Sequence, residues 1–176
     1  MNSPVTDYKA LIREVPNFPN PGILFYDITT LLKDAQALRS IVDELADRYR
    51  DKEISKIIGI ESRGFIFGSC VARILNCGFV PIRKPGKLPW TKRRYEYELE
   101  YGKDVLEIHN DAVGSEDRVL IVDDVLATGG TMAAAAALVA DLGAQVTGIA
   151  TVMELTFLDG RRKLTNGARF HTLLTY

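Results

Sequence analysis

The chain is expected to be an α/β protein with a central, mainly parallel sheet flanked by helices, because short apolar runs alternate along it with stretches of helical length. Two strand, helix, strand units are legible, one from Lys56 to Ile82 and one from Arg118 to Met153, each the βαβ unit of a parallel sheet. With 176 residues, 47% hydrophobic and 26% charged, the composition is that of an ordinary globular protein. A chain of this length builds its own core without disulfide or metal staples, so one domain over residues 1–176 is expected.

Taken in order, Asp34 to Arg50 places Ala35, Leu38, Val42, Leu45 and Tyr49 at helical spacing with charges between them, which predicts an amphipathic helix. Lys56 to Ile60 (KIIGI) is a short apolar run, Phe65 to Leu75 a longer one of helical length, and Phe79 to Ile82 is short again. Lys84 to Arg94, rich in Pro, Gly, Lys and Arg, reads as a mobile loop. It leads into a hairpin over Tyr95 to His109, which turns at Tyr101-Gly102-Lys103. Arg118 to Val122 is a fully apolar strand and Thr131 to Leu142 an alanine-rich helix. Gly143 is its left-handed stop and Gln145 to Met153 the next strand.

Several classes are disfavoured. The two cysteines, Cys70 and Cys77, are too few and too far apart for a zinc site, and reduced thiols are expected. Met1 to Leu11 has no apolar run behind a basic start, and no stretch approaches the length of a membrane span, so a cytoplasmic protein with no membrane partner is expected. The net charge of −1 argues against a general nucleic-acid surface, while local basic clusters remain able to hold a phosphorylated small molecule.

The most informative residues run from Val122 through Asp123-Asp124-Val125-Leu126-Ala127-Thr128-Gly129-Gly130 to Thr131: a strand passes through two acids into a small, glycine-rich turn and then a helix. A backbone that wraps a phosphate needs positive φ and no Cβ in the way, which Gly129 and Gly130 supply. The following helix adds the positive end of its dipole, and the hydroxyls of Thr128 and Thr131 can donate to the same phosphate oxygens. Asp123 and Asp124 would repel a phosphate at close range, so their partner is something that donates hydrogen bonds, and a ribose diol does so. Together these features spell ribose 5-phosphate. The alternative is that a strand simply ends in acids and a glycine turn, as open α/β sheets often do. Rival phosphate motifs fail, since a P-loop needs Lys where Gly130 stands and the three spaced glycines of a dinucleotide site are absent.

The segment VLIVDDVLATGGT resembles the phosphoribosyl pyrophosphate (PRPP) motif of the type I phosphoribosyltransferases. Phe18 to Ile28, Glu61-Ser62-Arg63-Gly64-Phe65, Arg83 to Pro89 and Leu99-Glu100-Tyr101-Gly102-Lys103 resemble, in order, the blocks of the adenine phosphoribosyltransferases, and together they cover most of the chain. The resemblance implies the type I fold with a small hood and a flexible loop-hairpin. It also implies transfer of the phosphoribosyl group of PRPP to N9 of adenine, giving AMP and pyrophosphate in purine salvage, with Mg²⁺ as cofactor. The metal is expected to be held mainly by substrate and water, with no dedicated protein ligand. A homodimer is the family expectation.

Residue by residue, the resemblance places Asp123, Asp124, Ala127, Thr128, Gly129, Gly130 and Thr131 on the phosphate and ribose, and Arg63, Arg83, Lys84 and Lys87 on pyrophosphate. Glu100 becomes the proton-transfer group. Leu24 and Tyr26 offer main-chain groups to the adenine edge, with Phe25 and Leu155 against its faces. Tyr26 departs from the basic residue associated with its position, which a main-chain contact tolerates. Read without the resemblance, loop Arg and Lys are usually solvated, as is expected first for Lys92, Arg93 and Arg94. Glu100 shares its strand parity with Glu96 and Glu98, and Phe25 and Leu155 could be plain core. Two functional alternatives stay open: a phosphoribosyltransferase for another base, and a PRPP-binding regulator, although no DNA-reading segment is visible.

Overall fold

Residues 7–98, 102–164 and 168–176 are described by the computed structural model, which separates into two units, Met1–Asp43 and Glu44–Tyr176. In the first unit, β1 (Arg13–Pro16) and β2 (Leu24–Asp27) form an antiparallel ribbon in register from Arg13 opposite Asp27 to Pro16 opposite Leu24. Its connection turns through Asn17 and Gly22 at positive φ, where the Gly22 N–H donates to Asn17 Oδ1 at 2.9 Å. Asp27 caps the short helix α1 (Thr29–Leu32), accepting from Thr29 N at 2.9 Å. Asp34 does the same for α2 (Ala35–Asp47), accepting from the amides of Gln36 at 3.0 Å and Ala37 at 2.8 Å. An aspartate at this position satisfies amides that the first turn leaves without partners.

In the second unit, β3 (Lys56–Ile60) is followed by α3 (Gly64–Leu75), β4 (Gly78–Ile82), and a hairpin of β5 (Lys92–Glu98) and β6 (Lys103–His109). Then come β7 (Arg118–Leu126), α4 (Gly130–Asp141), β8 (Gln145–Glu154) and β9 (Arg169–Thr175). The sheet order is β4-β3-β7-β8-β9, and every neighbouring pair is parallel. Ile57, Ile58, Leu120 and Ile121 are fully buried, as expected of strands covered on both faces. Ala134, Ala135 and Leu138 of α4 pack into the same core as Ile58, Ile121 and Ile149, and the small alanines let this helix lie close to the strands.

The expected elements form, with differences that have physical reasons. β7 runs to Leu126 rather than stopping at Val122, because Asp123, Val125 and Leu126 go on pairing with Thr151, Met153 and Glu154 of β8. β5 begins at Lys92 rather than Tyr95, since Lys92 pairs across the hairpin with His109. Of Lys92, Arg93 and Arg94, expected to be solvated, Arg93 and Arg94 are exposed, and all three also pair with acids: Arg94 Nε lies 3.2 Å and Lys92 Nζ 3.7 Å from the buried Glu107 carboxylate, and Arg93 Nε 3.5 Å from Asp141. The ribbon β1–β2 and the edge strand β9 had no counterpart in the sequence reading, and β9 mixes Arg169, His171, Thr172 and Thr175 into its apolar residues. Cys70 and Cys77 are free.

Ile121 sits with no exposure at the middle of the central strand, between β3 and β8. Ile121→Ala is expected to lower the unfolding free energy by about 2 to 5 kcal/mol, through lost burial and an unfilled cavity. Equilibrium urea denaturation checks this, and a loss below about 1 kcal/mol would contradict the packing described.

Candidate active site

The carboxyl ends of β3 and β7 open on a cavity of about 390 Å³, lined from β3 onward by Glu61, Ser62 and Arg63 and from the start of the next loop by Lys84. β7 contributes Asp123 and Asp124, and the turn into α4 contributes Ala127, Thr128, Gly129 and Thr131. Open α/β sheets place ligands at this end of their strands. Everything in this cavity belongs to the second unit.

The turn is shaped by close backbone approach. Gly129 has φ +79°, and a Cβ there would lie 2.2 Å from the carbonyl oxygen of Gly160. A Cβ on Gly160 would in turn lie 2.1 Å from the carbonyl oxygen of Ala127. Two glycines in facing loops therefore let the turn rest against the 3-10 segment Gly160–Lys163. Gly130 is the first residue of α4, so the amides that begin this helix, which have no intrahelical acceptor, face the turn. Tyr97 of β5 ties the hairpin to this corner, its hydroxyl 3.1 Å from Thr131 Oγ1 and donating to Asp104 Oδ2 at 3.0 Å.

Asp123 and Asp124 sit inside β7 rather than after it, and both meet the amino end of α3. A Cβ on Gly64 would come within 2.9 Å of Asp123 Oδ1, so glycine there lets the helix approach the acid. Arg63 Nε lies 2.8 Å from Asp124 Oδ2 as an ion pair, yet that buried oxygen accepts no aligned hydrogen bond. Burial, then the charge of Asp124, pushes the Asp123 carboxyl well above the usual carboxylate range, with Arg63 opposing. Burial raises Asp124 too, but Arg63 and a hydrogen bond with Asp123 hold it back, so Asp123 is the better proton holder of the pair.

The cations facing the acids are held by carboxylates of their own. Arg83 grips Glu61 with Nε at 3.2 Å and a terminal nitrogen at 3.0 Å, and the Lys84 amide donates to the same carboxylate at 2.9 Å. The Arg83 hydrogen bond is the main reason the Glu61 carboxyl lies below its usual range. Lys84 Nζ bonds Asp104 and stands 6.0 Å from the centre of the Tyr97 ring. Burial is the largest single influence on Lys84 and works against its charge, but the bond to Asp104 and the charges and hydrogen bond of Tyr97 and Asp104 together outweigh it and leave its pKa raised. Glu107 accepts from Gly86 N at 3.1 Å and so anchors the loop between Lys84 and Lys87.

Of the expected site residues, the structure brings Arg63, Lys84, Asp123, Asp124, Ala127, Thr128, Gly129 and Thr131 to one cavity. Gly130 starts the helix behind it. Arg83 stands just outside, joined to Glu61, and Lys87 is exposed outside the wall. Glu100 lies outside the described residues. Leu24, Phe25 and Tyr26 form most of β2 in the first unit, with the Phe25 ring edge-on to Phe18 at 5.1 Å. Leu155 follows β8 in the second unit, its amide donating to Leu126 O at 2.9 Å. Sequence reasoning missed Glu61, Tyr97, Asp104 and Gly160. For Glu61 a signal existed, since it directly precedes Ser62-Arg63; the others act through contacts between distant segments.

The match of a family model described as the phosphoribosyl transferase domain to residues 29–165 fits a parallel sheet that ends in an acid pair and a phosphate-sized turn. That is the class the fold and site define. Adenine phosphoribosyltransferase of Solibacter usitatus is 58% identical over 170 residues, covering 97% of this chain and 98% of its own. The crystal structure of adenine phosphoribosyltransferase from Thermoanaerobacter pseudethanolicus superposes with a TM-score of 0.93 at 52% identity, covering 97% and 98% of the two chains. The Saccharomyces cerevisiae enzyme, complexed with an imino-altritol bisphosphate and adenine, gives 0.89 at 42% identity, covering 96% and 97%. The chain belongs to the adenine phosphoribosyltransferase family.

The acid pair makes a prediction about stability. A carboxyl whose pKa is raised on folding favours the fold below its unfolded pKa, and that contribution is lost as pH rises through the folded value. Asp123→Asn removes the titration. It is expected to raise the thermal midpoint of the ligand-free protein at pH 7 to 8, with the gap to wild type closing as pH falls into the ordinary carboxylate range. Thermal melts across pH test this, and a variant less stable at pH 8 than wild type would show that the charged pair favours the fold.

Proposed function

We propose that the chain is an adenine phosphoribosyltransferase that joins N9 of adenine to C1′ of PRPP and releases pyrophosphate, giving AMP for purine salvage. The observation that carries this reading is the single cavity in which half-buried Asp123 and buried Asp124, a glycine-shaped anion turn and the cations Arg63 and Lys84 converge. In this reading the 5′-phosphate sits on the amides of Ala127 to Thr131, with the hydroxyls of Thr128 and Thr131 donating to it. Asp123 and Asp124 accept from the ribose 2′- and 3′-hydroxyls, and the Asp124 oxygen that lacks an aligned hydrogen bond suits such a donor. Hydroxyl donors favour the charged form of both acids, which then balance positive charge on the ribose as the bond from C1′ to pyrophosphate breaks.

Pyrophosphate is assigned to Arg63, Lys84 and Lys87, with Arg83 at the edge. For Arg63 and Lys84 this means exchanging Asp124 and Asp104 for phosphate oxygens, so no cation has to be brought in from bulk water. Glu100 is assigned the N9 proton, and the adenine edge and faces are assigned to main-chain groups of Leu24 and Tyr26 and to Phe25 and Leu155, as the resemblance implies. Mg²⁺ is proposed as cofactor. The metal is assigned to substrate oxygens and water, with the Asp123–Asp124 pair nearby. When bound, it neutralises charge on the leaving group. Two free thiols support a reducing, cytoplasmic setting, and Ile66, 37% exposed on α3 one turn from Arg63, supports a homodimer.

The first test offers adenine, hypoxanthine, guanine and orotate separately to the protein with PRPP and Mg²⁺ and follows base consumption and pyrophosphate release. AMP formation with adenine alone is expected, and Glu100→Ala is expected to lower kcat by about 10² or more. Clear PRPP binding with no turnover of any base would overturn the enzyme reading in favour of a regulator. Tyr97→Phe removes the hydroxyl that links Thr131 to Asp104. It is expected to raise KM for PRPP by about fivefold, the cost of roughly 1 kcal/mol of hydrogen bonding, with kcat changed less. An unchanged KM would remove Tyr97 from the site.

A further inference from the structure

At the opposite ends of the strands, where β7, β8 and β9 begin, a second cavity of about 470 Å³ opens beside the segment that follows α2. Four cations line it: Arg48 and Lys52 after α2, Arg118 at the start of β7 and Arg169 at the start of β9. Among the described residues no carboxylate lines it. Among the described residues none of the four is ion-paired to an acid, whereas the cations of the first cavity and of the hairpin are. Arg118 is nevertheless fixed in place, donating from Nε to Lys52 O at 3.2 Å and from a terminal nitrogen to Gln145 Oε1 at 3.1 Å. Both acceptors are neutral, so they orient the guanidinium without cancelling its charge. In a chain of net charge −1, this concentration of uncompensated positive charge is local.

Two further atoms point to a ligand. Thr147 Oγ1 and His171 Nε2, both on residues lining this cavity, are buried and have no hydrogen-bond partner among the described residues. Buried polar atoms without partners are uncommon and costly, and here two of them sit beside four cations. Burial, then the charge of Arg48, lowers the pKa of His171, with Glu44 acting in the opposite direction. The wall is aromatic and rigid. Tyr49 lies against β8, where a Cβ on Gly148 would fall 2.6 Å from its ring, and its hydroxyl donates to Ile149 O at 3.4 Å. Phe170 also lines the cavity, between Arg169 and His171 on β9, with its ring packed against the core and Arg161 4.8 Å from its centre.

We propose that this cavity is a second anion site that binds an oligophosphate, gripped by Arg48, Arg118 and Arg169 and hydrogen-bonded by Thr147 and His171. Its size is that of a small-molecule pocket rather than of a single phosphate, and four cations match several phosphate charges. The shared chemistry is a linear phosphate chain, either free or as the tail of a nucleotide. The site does not depend on the reaction assigned to the first cavity.

The test is calorimetric titration of the full chain with inorganic tripolyphosphate and, separately, with ATP. It is run on wild type, on Arg48→Gln and Arg169→Gln singly, and on Thr128→Val in the phosphate turn. Arg48 and Arg169 are exposed, and unchanged thermal midpoints will show that their variants fold. Two binding events are expected in wild type. Each arginine variant should weaken one event by about tenfold, as expected for a lost charge-assisted hydrogen bond, while Thr128→Val weakens only the other. kcat for AMP formation should be unchanged in both arginine variants. Tighter binding of ATP than of tripolyphosphate assigns the ligand to nucleotides, and the reverse order assigns it to free phosphate chains. A single event that responds to Thr128→Val and to neither arginine variant would overturn the proposal.

Discussion

The structure turns on one electrostatic conflict: two adjacent carboxylates, Asp123 half-buried and Asp124 buried, at the end of a central strand, a few residues before a turn built to attract an anion. Acids at Asp123 and Asp124 oppose the phosphate that the turn from Ala127 to Thr131 would hold, and they oppose each other. Strand geometry moderates the conflict. Because β7 continues through both acids, pairing with β8 as far as Leu126, their backbone is held in the sheet and the Asp124 amide donates to Asp123 Oδ1 at 2.9 Å. Arg63 then compensates one member of the pair, and the amino end of α3 comes close because Gly64 carries no side chain. The cavity is therefore a place where charge has been stored against partial compensation, and a ligand bearing both hydroxyl donors and anionic groups relieves the imbalance at two points.

The same arrangement recurs on the cationic side. Arg83 is held by Glu61, Lys84 by Asp104, and Arg94 by Glu107, each pair joining segments far apart in the chain. Such pairs contribute little to stability where they are exposed, so their value lies in placement. Glu61 accepts from the Arg83 side chain and from the Lys84 amide together, and Glu107 accepts from the Gly86 amide. Two acids thus fix the start of a loop whose composition alone, rich in Pro, Gly, Lys and Arg, suggests mobility.

How much of this could be read from the chain depended on whether the cause was local. The strand Lys56–Ile60, the helix after it and the acid-to-turn segment depend on nearby residues, through apolar runs and glycine chemistry, and they form where expected. The extension of β7 to Leu126 did not, because acids read as the end of a strand unless a neighbouring strand continues to pair with them. Edge strand β9 was hidden by its polar residues, whose pattern is set by a half-exposed position in the sheet. Glu107 went unremarked because an acid in a hairpin gives no sign of burial, yet it is buried with Lys92 and Arg94 of the opposite strand beside it. Gly160 was invisible for the same reason: only the fold brings it against Gly129.

A parallel sheet gives its two ends different chemistry, and this chain has charged both. At the carboxyl ends, acids and cations are interleaved, so the cavity is electrostatically mixed and suited to a ligand that is itself mixed, with hydroxyls, phosphates and a ring. At the amino ends, Arg118 and Arg169 begin two of the strands without acidic partners, and the segment after α2 adds Arg48 and Lys52. α3 and α4 follow β3 and β7 and end just before β4 and β8, so on this side of the sheet they present the negative ends of their dipoles, and the positive charge itself comes from side chains. A fold needing only solubility would spread such cations over its surface, where water screens them at little cost. Gathering them around buried Thr147 and His171 atoms that lack partners leaves an unsatisfied site, and an anion is the chemistry that satisfies it.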